Sequence, residues 1–290
     1  MELYCIAQRT GKLSTFLHRE LRCSSSFINK NKWLQGFYVN GVSQRTNFLV
    51  QPGDEIRVPI VEPKPDYPAQ HRPLEILYED EAVIAIDKPV GMLMHPSFHR
   101  NTDTLANYLV GYYERTDQPC AVHPVSRLDR DTFGVVLLAK NAYTHAILFE
   151  DMKAGRIRKT YHALTWGAPV ERTGIIDQPI GRLPKPSLLR QVDPMGQEAL
   201  TRYRVLERDG DGCARLELQP ITGRTHQLRV HCAHNGFPIL GDPQYGSEAA
   251  RTESRRRGLT YQQLCAVSIT FPHPMNGEQK TVFSRQDVNF

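Results

Sequence analysis

Two hydrophobic rhythms divide the chain. Residues 12–22 place Leu13, Phe16, Leu17 and Leu21 at helical spacing, with His18, Arg19 and Arg22 toward the other side, which predicts an amphipathic basic helix. Ser24-Ser-Ser offers N-caps for a second helix through Phe27, Ile28, Trp33 and Leu34, closed by Gly36. The pattern then shortens to strands. Tyr38-Val-Asn-Gly-Val-Ser carries the Asn-Gly of a tight hairpin, and Phe48-Leu-Val and Pro52-Gly-Asp-Glu-Ile-Arg-Val follow it. Prolines at 59, 63, 65, 68 and 73 then read as a semi-rigid linker. The divisions are a small domain of residues 1–60, a linker of 61–73 and a larger domain of 74–290.

In the larger part, Ala82–Ile86 is an apolar run with the length of a buried strand, and Asp87-Lys-Pro-Val-Gly91 turns the chain after it. Leu105, Leu109 and Tyr112 set a helix between residues 103 and 114. Asn141 caps another, holding Ala142, His145, Ala146, Phe149 and Met152. Arg158 to Thr165 alternates like a half-buried strand with Lys159, Tyr161 and Ala163 on one face. Further strands are predicted at 199–206, 213–218, 263–271 and 280–283, and a capped helix from Thr222 that stops at Asn235-Gly236. Residues 247–258, with Arg251 and Arg255-Arg-Arg257, read as a mobile basic loop. Strands outnumber helices and mostly follow one another, so the fold class is α+β on a mixed, largely antiparallel sheet.

Composition adds limits. With 290 residues, 40% of them hydrophobic, one large core and a small accessory one are expected. No run approaches ~18 apolar residues, and the first ten lack the apolar core of a signal peptide, which points to the cytoplasm and away from membranes. The cysteines at 5, 23, 120, 213, 232 and 265 form no C-x-x-C pair, so neither a disulfide framework nor a cysteine zinc site is expected. Charge is uneven: residues 1–60 hold 8 Lys/Arg against 4 Asp/Glu, a net of +4 out of +5 for the chain. Such a bias is an electrostatic footprint for a polyanion, nucleic acid first.

Candidate chemistry centres on Arg127-Leu-Asp129-Arg130, a turn-prone segment that runs into the apolar strand Val135–Ala139. Basic groups within ~4–6 Å of a carboxylate favour its ionised form, the form that attacks. Alone, such a segment is more often a solvated turn. Two other segments join it: Lys159-Thr-Tyr161-His-Ala, and Thr222-Gly-Arg224-Thr-His226-Gln-Leu228-Arg-Val-His. Together they resemble the RluA-type pseudouridine synthases, which carry "H-R-L-D-R-x-T-S-G", "K-x-Y-x-A" and "T-G-R-x-H-Q-L-R-V-H". The likeness extends to Tyr78-Glu-Asp80, Lys88-Pro-Val-Gly91, His95-Pro96, Met195–Tyr203 and His273-Pro274, and so covers about residues 74–285. The first sixty residues resemble the S4 RNA-binding domain, with Val39-Asn40-Gly41 and Gly53-Asp54-Glu55-Ile56 in its signature places.

The resemblance implies a pseudouridine synthase catalytic fold preceded by a small S4-like αα-hairpin domain. It also implies an enzyme that breaks the N-glycosidic bond of a uridine in RNA, turns the base and rejoins it through carbon 5, with no metal or organic cofactor. Asp129 would be the catalytic carboxylate, by direct attack or through a glycal. Tyr161 would lie against the uracil, and Arg224 would pair with Asp129. Arg127 would enter the stack left by the flipped base. Leu128, Arg130, Thr222, Gly223, His226, Leu228 and Lys88 would complete the substrate contacts. Lys12, Arg19, Arg22, Lys30 and Lys32 would carry RNA on the head. Two positions depart from the family pattern: Ser126 for His, and Phe133 for Ser.

The implied partner is RNA, ribosomal before transfer RNA, and the implied state is a monomer. A non-catalytic S4-type RNA-binding or ribosome-assembly factor is the rival from another class. A glycosidase reading is weaker because only one carboxylate is central where that chemistry uses two. His226, His231 and His234 crowd one segment, but no carboxylate or cysteine pair completes a zinc set.

Overall fold

The computed structural model describes residues 1–34, 36–62, 67–96, 101–118 and 120–290. At the N-terminal end, β1 (Glu2–Ile6) and β2 (Gly11–Lys12) lead into α1 (Leu13–Arg19), which buries Leu13, Phe16 and Leu17 as its spacing requires. The Ser24 hydroxyl accepts the Phe27 N–H at 3.1 Å and so starts α2 (Ser25–Asn31). Asn40 and Gly41, with φ of +50° and +77°, join β3 (Tyr38–Val39) to β4 (Val42–Ser43). β5 (Leu49–Val50) pairs with β2, and β6 (Glu55–Pro59) lies between β1 and β3. Asn40 and Asp54 staple this sheet together. Asn40 Nδ2 donates to Asp54 Oδ1 at 2.7 Å, and Asn40 Oδ1 accepts the Glu55 N–H at 2.9 Å.

From residue 76 the chain builds one large sheet from β7 (Ile76–Glu79), β8 (Val83–Lys88), β9 (His123–Pro124), β10 (Phe133–Ala139), β11 (Arg158–Trp166), β12 (Thr173–Asp177), β15 (Leu200–Arg208), β16 (Cys213–Pro220), β17 (Leu264–Pro272) and β18 (Gln279–Phe283). A separate hairpin, β13 (Ile180–Arg182) with β14 (Arg190–Val192), projects from it. The helices are α3 (Leu105–Arg115), α4 (Ala142–Lys153), α5 (Gln227–His234) and α6 (Glu248–Arg256). The spatial order is β12-β15-β16-β11-β17-β10-β8-β7, with β9 on β10 and β18 on β17. Among the described residues β10 with β17 is the parallel pair and the remaining strand neighbours run antiparallel, which is the mixed sheet expected.

β8 and β10 are buried along their whole length, and a strand covered on both faces reads as an unbroken apolar run. Where β10 meets β17, Gly134 has φ +103° and faces the Ala266 backbone so closely that a Cβ has no room. This crossing sets the exit angle of the loop that precedes β10.

Two expectations change. Residues 247–258 are largely a helix, not a mobile loop: Ser247 Oγ accepts the Ala250 N–H at 3.2 Å, and Glu253 gathers Arg256 and Arg257 within 2.7 Å. Arg257 also reaches Asp209 at 2.6 Å, a tie to the β15–β16 turn that no local pattern contains. The expected linker 61–73 lies partly outside the described residues, at 63–66. Its second half runs along α3, where Asn107 Nδ2 donates to the Pro68 carbonyl at 2.9 Å and the Gln70 N–H to the Asn107 carbonyl at 3.1 Å.

The N-terminal unit is not simply tethered. Tyr143 and Ile147 of α4 are buried in its core, the Tyr143 hydroxyl donates to the Leu21 carbonyl at 2.7 Å, and the Phe27 ring meets Tyr143 edge-on at 5.7 Å.

Candidate active site

The loop Arg127–Thr132 is held between β8 and β10. Lys88, at the end of β8, is fully buried, and its ammonium donates to the carbonyls of Pro89 at 3.0 Å, Met92 at 3.0 Å and Arg130 at 2.9 Å. Burial pushes this ammonium down to about 8, against the pull of Asp131 and Asp129. Lys88 is therefore a tie beneath the loop and not the substrate contact expected, because no surface of it is open. Leu128 and Leu228 are mostly buried in the main core, as Tyr161 is, and anchor their segments. The Thr132 N–H closes the turn on the Asp129 carbonyl at 3.2 Å. Arg130 folds onto its neighbour Asp131 through two bonds of 3.0 and 2.8 Å. Arg127 is exposed, makes no ion pair with a described residue, and helps burial to lower the His95 imidazole.

Asp129 is about one-third exposed, 30% for its side chain, and its Oδ2 accepts Arg229 Nη1 at 3.0 Å. The pairing partner is Arg229 and not Arg224. Helix α5 begins at Gln227, five residues later than the expected start at Thr222, and Gln227 Oε1 closes the intervening turn by accepting Thr222 Oγ1 at 2.8 Å and the Arg224 N–H at 3.0 Å. That turn sends Arg224 outward, where its Nε donates to the Glu198 carbonyl at 2.8 Å. Gly223 sits in the same exposed turn. The first turn of α5 sends Arg229 inward.

Arg229 is itself pinned. Its Nε and Nη2 donate to the two oxygens of Asp242 at 2.7 and 2.8 Å, and Nη2 also donates to Gln244 Oε1 at 2.7 Å. The Asp242 side chain is completely buried, and the guanidinium lies 4.9 Å from the centre of the Tyr245 ring. A guanidinium fork held by a second carboxylate presents Nη1 to Asp129 in one orientation, which a lysine does not do. Asp129 Oδ1 has no hydrogen-bond partner among the described residues.

Two more groups border that oxygen pair. His226 takes φ +58° just before α5, and its Nε2 stands 3.9 Å from Asp129 Oδ2. Tyr161, on β11, is buried, and burial followed by the Asp129 charge raises its phenol above the ordinary range, so it stays protonated. The structure thus gathers Asp129, Tyr161 and His226, while Arg224 and Thr222 serve the turn. Asp242, Gln244 and Tyr245 were missed. Their only trace in the sequence is a polar turn after Gly241, which has no hydrophobic period to mark it.

His231 lies deeper in α5, hydrogen-bonded at both ring nitrogens, to Thr201 Oγ1 at 2.9 Å and the Gln178 carbonyl at 3.0 Å. Phe133 faces the opposite side of the sheet, edge-on to Tyr261 at 6.0 Å in a cluster with Leu164, Leu240 and Cys265, so this departure from the expected pattern packs α6 and leaves Asp129 alone. On the N-terminal unit, Lys12, Arg19, Lys30 and Lys32 are exposed. Arg22 instead turns to the seam, 3.8 Å from Asp151 of α4.

A family model described as RNA pseudouridylate synthase matches residues 82–234. The chain is 36% identical over 262 residues to an uncharacterized RNA pseudouridine synthase, YjbO, of Bacillus subtilis (strain 168), covering 89% of this chain and 90% of that one. It is 35% identical over 251 residues to ribosomal large subunit pseudouridine synthase D of Haemophilus ducreyi, covering 83% of this chain and 76% of the relative. Among solved structures, human RNA pseudouridylate synthase domain containing 1 shares the fold, with a TM-score of 0.60 at 23% identity over 77% of this chain and 93% of that one.

Proposed function

The chain belongs to the RNA pseudouridylate synthase family, and we propose that Asp129 is its reacting carboxylate and that ribosomal RNA is its substrate. The observation that carries the first part is the Asp129–Arg229 pair at 3.0 Å, in which the carboxylate is held by one oxygen while its side chain stays 30% exposed. The isomerisation breaks the bond from ribose carbon 1′ to uracil N1 and forms one from carbon 1′ to carbon 5. Carbon 5 loses a proton and N1 gains one, so no external reactant is consumed. Asp129 receives the electron-poor ribose while the base is detached, and Arg229 keeps the carboxylate aimed during the turn. Tyr161 stacks against the uracil and, being protonated, acts as a hydrogen-bond donor to it. Arg127, exposed at the loop and without an ion pair to a described residue, occupies the space of the flipped nucleotide.

The ribosomal assignment rests on the relatives named for large-subunit pseudouridine synthesis. Residues 1–60 act as an S4-like RNA-binding head: the helix pair and the Asn40–Asp54 staple give the shape, and Lys12, Arg19, Lys30 and Lys32 give the phosphate contacts. The test is pseudouridine mapping of ribosomal and transfer RNA from cells lacking the gene, rescued with wild type or Asp129→Asn. Restoration of a ribosomal pseudouridine by wild type alone is expected. Rescue by Asp129→Asn would overturn the catalytic assignment, and a site restored only in transfer RNA would overturn the substrate.

A further inference from the structure

Tyr245 touches three parts of the site at once. Its ring lies under the Arg229 guanidinium at 4.9 Å and meets the His226 ring edge-on, with centroids 5.7 Å apart and planes at 75°. Its backbone N–H donates to Asp242 Oδ1 at 3.2 Å, the same carboxylate that pins Arg229. Its hydroxyl oxygen lies 2.9 Å from the Arg190 backbone nitrogen, at the start of β14, and 2.8 Å from His226 Nδ1.

The backbone bond has a fixed direction. A backbone N–H only donates, so the Tyr245 oxygen accepts from Arg190. The single phenolic proton then has one described acceptor within reach, His226 Nδ1. Burial favours the neutral imidazole, and Arg229 and Arg190 add to that against the pull of Asp129 and Asp242. A neutral imidazole that accepts at Nδ1 carries its proton at Nε2. Nε2 faces Asp129 Oδ2 at 3.9 Å, too far for a direct hydrogen bond, so the N–H is left for a third group. The left-handed backbone of His226, φ +58°, a conformation L-residues rarely adopt, sets the ring just ahead of α5.

We propose that Tyr245 is a positioning residue: it holds His226 as the Nε2–H tautomer, and that N–H donates to an oxygen of the uridine bound at Asp129. The proposal deepens the catalytic assignment above and rests on it for the identity of the bound group. His226 then steadies the nucleoside as the glycosidic bond breaks. Arg229 and His226 are held in register because one aromatic ring contacts both.

The experiment is Tyr245→Phe, which keeps the ring over Arg229 and removes only the hydroxyl. Long-range proton–nitrogen NMR of histidine-labelled protein reads the tautomer, and steady-state kinetics on an RNA substrate read the consequence. Wild-type His226 is expected to show a protonated Nε2 and a bare Nδ1. In Tyr245→Phe the two tautomers mix, kcat falls about tenfold and KM stays within about twofold, because the lost interaction orients the reacting nucleoside and does not bind the RNA. A wild-type proton on Nδ1, or a variant with wild-type kcat, overturns the proposal. Should Tyr245→Phe fail to fold, the wild-type NMR result decides alone. Failure of the catalytic reading is separable: an active Asp129→Asn enzyme removes that reading, whereas the tautomer is measured without turnover.

Discussion

Replacing Arg229 by lysine, beside the same replacement at Arg224, separates the two arginines of one segment. Arg229 makes four side-chain bonds to charged or amide oxygens, to Asp242 twice and to Gln244 and Asp129 once each, and its side chain is 5% exposed. A lysine ammonium has three donors at a single point and no fork, so it satisfies Asp242 or Asp129 and not both. Hydrogen bonds to charged groups contribute roughly 1.5–3 kcal/mol each, and loss of two, partly offset by the ammonium, costs about 3 kcal/mol. For 290 residues with a melting entropy of ~2.1 cal/mol/K per residue, that is a fall in Tm of about 5 °C. Catalysis is expected to fall further than stability, by about 100-fold in kcat, because the carboxylate proposed to react loses its fixed orientation. Arg224→Lys loses one exposed bond to the Glu198 carbonyl, so Tm moves by about 1 °C and kcat stays within a few-fold. Differential scanning calorimetry and single-turnover pseudouridine formation measure both. If Arg224→Lys matches the loss in Arg229→Lys, the reassignment of the pair is wrong.

Phe133→Ser, the residue that the family pattern carries there, empties the cluster around Tyr261, Leu164 and Leu240. It is expected to cost about 3–5 kcal/mol, a Tm fall of roughly 5–8 °C, with kcat of the folded protein unchanged; a lost kcat at unchanged Tm would refute the view that it faces away from the site. Acid sensitivity is set by histidines: burial holds His95, His145, His226 and His231 below the ordinary value of 6.5. The unfolded chain therefore takes up more protons than the folded one once the pH drops below about 6.5, and stability is lost from there downward. Thermal melts between pH 7.5 and 5 should show Tm falling below pH 6.5, before Glu79 and Asp80, both held below their ordinary values, begin to titrate; a flat Tm over that range contradicts the burial argument.

Much of the scaffold was legible because burial writes itself as periodicity. β8, β10, α3, β11 and β17 each turn one or both faces to the main core, and their apolar spacing located them within a few residues, whereas α4 buries Tyr143, Ile147 and Leu148 and not the expected Ala142, His145, Ala146, Phe149 and Met152. The Asn141 cap was legible for a different reason: its side chain accepts the Thr144 N–H at 2.8 Å, a local interaction that local sequence can encode. β12, β13 and β14 escaped because they are short and half-exposed, with Gly181, Pro184 and Pro186 breaking any alternation. Helix α6 escaped because its charges are paired across space to Asp209 and Asp211, and a string of arginines without those partners looks solvated.

The misassigned arginine has a more general cause. Arg224 and Arg229 are equivalent to any argument from charge or from a helix that starts at Thr222. They are distinguished by where the helix starts, and that depends on the Gln227 side chain bending back onto Thr222 Oγ1 and the Arg224 N–H. Asn or Gln side chains that compete with the backbone for turn geometry leave no period and no charge. The remaining supports, Asp242, Gln244 and Tyr245, lie in such a turn as well, closed by the Gln244 N–H on Asp242 Oδ1 at 2.9 Å. The carboxylate proposed to react, Asp129, stands four residues ahead of β10, a strand that hydrophobicity locates, whereas the groups that hold it stand on turns whose conformation is decided by single hydrogen bonds. That division explains why Asp129 could be named from a short motif and its partner could not.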